Sequence, residues 1–133
     1  MPHPKLFVFI CDSYFGRSDA EELANQFGLQ LFDELYYGGA GGSEHVMLGN
    51  PGERPVDAEN LLVFTGTFHG DSKKAITYAT RIKAENPRAK IYFRSTDFFP
   101  PESPIFDGIL KKREEEKFHD IIREFVEQVR QTA

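Results

Sequence analysis

The chain has 133 residues, of which 40% are hydrophobic and 28% charged, the composition of one folded domain, 1–133, that can bury a core without crosslinks. A net charge of −5 and a pI near 5.4 exclude the broad basic face that a nucleic-acid backbone requires. One cysteine closes no internal disulfide, and the N-terminal apolar stretch is too short for a signal peptide or a membrane span. A cytoplasmic protein is therefore expected, with neither nucleic acid nor membrane as partner.

The segment 5–11, KLFVFIC, is a nearly unbroken apolar run, the pattern of a strand buried on both faces. Ser18 is positioned to cap a following helix, with Glu21 completing a capping box; Ala20, Leu23, Ala24 and Phe27 form its apolar stripe and Gly28 ends it. A second strand is expected over 29–37. From 38 to 57 the glycines and prolines signal loops, with at most one helical turn at 43–48. NLLVFTG, 60–66, reads as the third strand, and 71–87 as a helix capped by Asp71 and stopped by Pro87. AKIYFRST, 89–96, is the fourth strand. Three prolines in 97–104 exclude a helix there. IFDGILKK, 105–112, is the fifth strand, and 113–131 a closing helix with Phe118, Ile121, Ile122, Phe125, Val126 and Val129 inward.

This alternation predicts a single doubly wound parallel α/β sheet of five strands in the order 2-1-3-4-5, with no helix between the last two strands. Ligands of such sheets bind at the carboxyl ends of the strands, beside the point where the winding reverses. Residues 11–18, 65–71 and 95–101 then share one rim.

On these residues the chain resembles the receiver domains of two-component response regulators, nearly end to end. FVFICDS stands where receivers end strand 1 in paired acids, with Asp12 retained and Cys11 in the other place. FDGILKKR is similar to the receiver's Asp-Gly-aromatic-x-x-Lys-Pro, which puts Lys112 at the lysine and Arg113 at the proline. Ser95 falls at the switch Ser/Thr. The acceptor aspartate has no counterpart, because strand 3 ends in Thr65-Gly66-Thr67. Mg2+ prefers several oxygen ligands, and Asp12 alone is a poor start. The resemblance therefore implies a pseudo-receiver of flavodoxin-like fold, with no metal and no cofactor, that signals through a protein partner or as a homodimer. The receiver-like site is Asp12, Thr65, Ser95 and Lys112. Phe98 and Phe99, on the proline-stiffened loop, are either interface anchors or plugs of the space a fourth helix would fill.

Two alternatives come from the first loop. Cys11-x5-Arg17-Ser18 has the arrangement of cysteine-dependent phosphatases and arsenate reductases, in which a thiolate attacks an oxyanion gripped by arginine and loop amides. Cys11 would be the nucleophile, Arg17 the clamp, Ser18 an activator and Asp97 the general acid; the other reading of Cys11 is a small buried hydrophobe. The second alternative is an FMN-binding flavodoxin-like protein, with 13–25 as phosphate loop, 65–71 as second loop, and Tyr14, Phe68, Phe98 and Phe99 available to stack on the ring. The histidines lack metal-ligand spacing and read as isolated surface residues.

Overall fold

The computed structural model describes residues 4–11, 16–32, 44–49, 58–66, 72–95, 103–111 and 113–132. Its order is β1 (Leu6–Cys11), α1 (Arg17–Phe27), β2 (Gln30–Leu31), β3 (Glu44–Leu48), β4 (Asn60–Thr65), α2 (Ser72–Glu85), β5 (Lys90–Ser95), β6 (Gly108–Lys111) and α3 (Glu115–Gln131). The strands form one sheet in the order β2-β3-β1-β4-β5-β6, and every pairing is parallel.

The α/β class and the parallel sheet agree with the sequence reading, and the arrangement is compatible with a flavodoxin-like fold. The strand count does not agree: there are six strands in this order, not five in the order 2-1-3-4-5. The added strand is β3, inside the segment read as loop with at most one helical turn. Val46, Met47 and Leu48 are a short apolar run flanked by glycine-rich sequence, too brief to show a period. Pairing supplies what propensity does not: β3 runs beside β1 over five register positions, Leu6 with Glu44 through Ile10 with Leu48. Its insertion separates β2 from β1. His45, read from sequence as a surface residue, is 2% exposed and lies against the rings of Phe7 and Phe32, with centroids 6.2 and 6.0 Å away.

Strand alternation divides the core. Phe7, Phe9, Cys11, Val63, Ile91 and Phe93 project to one side, where Ala75, Tyr78, Ala79 and Ile82 of α2 meet them. Leu6, Val8, Ile10, Leu62 and Phe64 project to the other, against Leu23, Ala24 and Phe27 of α1 and Phe118, Ile122, Phe125, Val126 and Val129 of α3. The stripe of α1 is the one that helical spacing predicted, and that of α3 agrees except that Ile121 is only partly buried. The cap of α1 differs: Gly16 is the N-cap, and Asp19 accepts the Gly16 N–H at 2.9 Å. Ser18 thus lies inside the first turn. Gly28 closes the helix at φ 66, a left-handed conformation that other residues adopt at a cost. No described residue between β5 and β6 is helical, and 96–102 lie outside the described residues.

Polar side chains tie down the strands' amino ends. Arg130 near the end of α3 meets both carboxylate oxygens of Glu44, at 2.8–3.2 Å, and donates to the Phe27 carbonyl at 2.8 Å. Asn60 Nδ2 donates to the Lys5 carbonyl, and Asn86 Nδ2 to that of Ala58. Asp107 accepts from Ile91 N–H and pairs with Lys83, at 2.8 and 3.1 Å.

The hydrogen bonds from Arg130, aided by its charge, hold the Glu44 carboxyl below its ordinary 4.5 despite partial burial. A carboxylate with a lowered folded value stabilises above its unfolded value, and that contribution is lost as pH falls through the folded one. Arg130→Ala should cost about 1 kcal/mol at neutral pH, at the modest end because Arg130 is half-exposed. The difference from the parent should shrink as pH falls below 4.5 and Glu44 protonates. Urea denaturation of both proteins across that range measures it.

Candidate functional site

The carboxyl ends of β1, β4 and β5 are adjacent. Cys11 and Thr65 are register partners, as are Thr65 and Phe93. A Cβ on Gly66 would lie 3.3 Å from the Arg94 carbonyl and 4.0 Å from that of Cys11, so the chain leaves β4 in contact with both neighbouring strands. The helix that follows β1, α1, begins after Gly16, with its first amides at this same end.

Of the receiver-like set, Thr65 is fully enclosed, and its hydroxyl lies 3.3 Å from the Gly66 carbonyl, to which it donates. Ser95 ends β5 in register with Lys111. Asp12 and Lys112 lie outside the described residues, as do Asp97, Phe98 and Phe99, and Tyr14 and Phe68 of the flavin reading. The structure thus sets the backbones of Cys11, Thr65 and Phe93 side by side, with Ser95 two residues beyond Phe93 at the end of β5.

Of the phosphatase set, Cys11 has no exposed surface and belongs to the α2-side cluster with Phe9, Val63, Ala75 and Phe93. Arg17 and Ser18 open α1 and are exposed. Arg17 Nε lies 3.4 Å from Glu21 Oε1, one helical turn on. A thiol at the end of a buried strand, among aromatic and aliphatic groups, is a small hydrophobe by environment. A reactive thiolate needs an electropositive and accessible setting.

Arg94 is a feature that the sequence reading passed over. It is 9% exposed, on the α1/α3 side of β5, with its guanidinium carbon 4.3 Å above the centroid of the Phe118 ring. Phe118 packs edge-on against Phe64 at 4.6 Å. The stacking places a delocalised cation over the negative ring face, close to the strand ends and to the start of α3. The available signal was an arginine in the inward position of an apolar strand, KIYFRS. Its residue type suggested solvent, and the alternation of Tyr92 and Arg94 suggested burial.

Among the described residues no group of three or more His, Cys, Asp or Glu side chains could hold a metal ion. Among them, too, no helix is long and apolar enough to cross a membrane. No family model, curated protein or solved structure matches the chain. The arrangement at the strand ends consists of an enclosed hydroxyl, an enclosed thiol, helix-start amides and a ring-stacked cation.

The cysteine's environment gives a direct expectation. Cys11 should alkylate slowly in the folded protein, at least about a hundredfold below its rate in denaturant, because reaction waits on opening of the core. Cys11→Ala should leave turnover of p-nitrophenyl phosphate at the buffer background, as in the parent. Turnover by the parent that Cys11→Ala abolishes would reinstate the nucleophile.

Proposed function

We propose that this chain is a receiver-like domain of flavodoxin type that acts by protein–protein contact and does not take up phosphate. The observation that carries the reading is Thr65. In a receiver, strand 3 ends in a carboxylate that must reach both a Mg2+ ion and a phosphodonor. Here β4, the corresponding strand, ends in a threonine with 0% exposure, whose hydroxyl is turned to the adjacent Gly66 carbonyl. A threonine hydroxyl is a poor nucleophile without an adjacent base, and this one is closed off from solvent.

The sheet is compatible with such a domain. Without β3, the observed order becomes β2-β1-β4-β5-β6, which in chain order is 2-1-3-4-5. β3 is an addition between the first two strands of that plan. Loss of the acceptor leaves a folded scaffold whose remaining means of signalling is its surface. The partner is a protein, and no metal or cofactor is required.

Titration with beryllofluoride and Mg2+ tests this directly. The amide resonances of Cys11, Thr65, Gly66 and Ser95 should stay in place within linewidth up to millimolar concentrations, on the order of those that saturate weak oxyanion sites. Saturable shifts at these four positions would mean that the rim binds phosphoryl groups, and would sink the proposal.

A further inference from the structure

The outer edge of β6 carries three features that fit one another. The first is in the backbone. Ile91 turns its carbonyl toward β6, where it accepts the Asp107 N–H at 2.7 Å. Tyr92 is in register with Gly108 and Phe93 with Ile109. In a parallel pair this directs Gly108 and Leu110 to β5, and turns the N–H and C=O of Ile109 and Lys111 outward. β6 ends the sheet, so no described strand meets these groups.

The second feature is Ile109. At 42% it is the exposed large hydrophobic side chain among the described residues. The third is charge. Asp107 and Lys111 stand two positions before and after Ile109, and Asp107 lies on the α2 side through its pair with Lys83, the side to which Ile109 belongs as register partner of Phe93. Lys83 and the Ile91 amide both engage Asp107 Oδ2, and the side chain keeps 31% of its surface exposed.

We propose that β6 pairs with β6 of a second copy, antiparallel, about a two-fold axis normal to the sheet that passes through Ile109. This deepens the contact reading above, on which it rests, by naming the partner. Such an axis reverses the strand direction while keeping α2 on the same side of the joined sheet, so the side chains of both edges share a face. Ile109 then meets its own counterpart and exchanges two backbone hydrogen bonds with it. Lys111 of each copy stands opposite Asp107 of the other. Such a contact is isologous and closed, so it stops at a dimer. A slip of one residue would place the paired side chains on opposite faces, and a slip of two would set Ile109 against Lys111. Apolar matching and charge therefore select one register.

Gly108 lets the inner side of this edge pack closely against β5. The Tyr92 ring lies across it, so close that a Cβ there would come within 2.8 Å of the ring. Tyr92 in turn stacks on Phe64 at 5.8 Å. The strand offered to the second copy is therefore fixed in place before docking, which lowers the entropy lost on association. The interface is nonetheless small, and association in the range of about 10 μM to 1 mM is expected.

Sedimentation velocity of the full chain over that range should show a reversible monomer–dimer equilibrium. Ile109→Lys places two cations on the axis and should raise the dissociation constant at least about tenfold, with an unchanged melting temperature because the side chain is exposed. Lys111→Asp sets carboxylate against carboxylate and should weaken the dimer in the same direction. Ile109→Cys should be captured as a covalent dimer by a short bis-maleimide, whereas the parent, with Cys11 buried, should not. A parent that stays monomeric at the highest concentration overturns the proposal, as does an Ile109→Lys variant that dimerises as tightly as the parent. A monomeric parent with a silent beryllofluoride titration removes this dimer but leaves the contact reading in place. A rim that binds beryllofluoride removes the contact reading itself.

Discussion

The structure depends on the complete enclosure of β1. All six of its side chains, Leu6 to Cys11, have 0% exposure. Its backbone is paired on both sides, with β3 and with β4. Full burial of an aliphatic or aromatic side chain is worth about 1.5–3 kcal/mol, so this one strand supplies a large part of the core's driving force. It also imposes a condition. A strand with apolar groups on both faces needs a layer on each, and α2 on one side with α1 and α3 on the other satisfy it. Five register positions on one flank require a strand at 44–48 whatever the local sequence prefers.

Apolar burial is not directional, so it does not by itself fix how far each strand slides along its neighbours. The polar ties at the amino ends do this. Asn60 reaches the Lys5 carbonyl and so aligns β4 with β1. Asp107 grips the Ile91 amide and aligns β6 with β5. Arg130 joins α3, the end of α1 and the start of β3 through one guanidinium. Each of these bonds joins segments far apart in sequence, and each side chain sits where backbone groups leave the ladder and need partners. The register set there propagates to the opposite rim, where Cys11, Thr65 and Phe93 come side by side.

What was legible in the sequence follows from the same physics. Long elements with one clear period were readable: α2 and α3, and the buried runs of β1, β4 and β5. The stripe of α1 was readable too, but not its cap, because Ser18 and Glu21 fit the capping pattern as well as Gly16 and Asp19 fit the observed one. β3 was not readable, since a five-residue strand held by its neighbours needs no period of its own. His45 was misjudged, and Arg94 passed over, for a related reason. Both are polar types that usually lie at the surface, and both are inside because their places in the sheet put them against aromatic rings. At the candidate site, the strand ends that converge were legible from topology. Burial of Cys11 was one of its two readings, as the end of an apolar run; the enclosure of Thr65 was not read, because it depends on the packing of α2 and the neighbouring strands rather than on a motif.

Arg94 touches the strand ends, the last helix and the outer edge. Its carbonyl bounds the space beside Gly66 at the strand ends. Its guanidinium rests on Phe118 in the first turn of α3. Its register partner is Leu110 of the edge strand, which is itself 5% exposed and part of the same cluster as Phe118. The strand ends, the last helix and the outer edge are thus joined through one residue and its close-packed neighbours. Close-packed interiors transmit displacement because they have little room to absorb it. Thr65 at one end of this path is sealed, whereas Ile109 at the other faces solvent. Among the described residues, the outer edge thus offers outward backbone groups and the exposed Ile109 side chain, with Asp107 and Lys111 on either side of it.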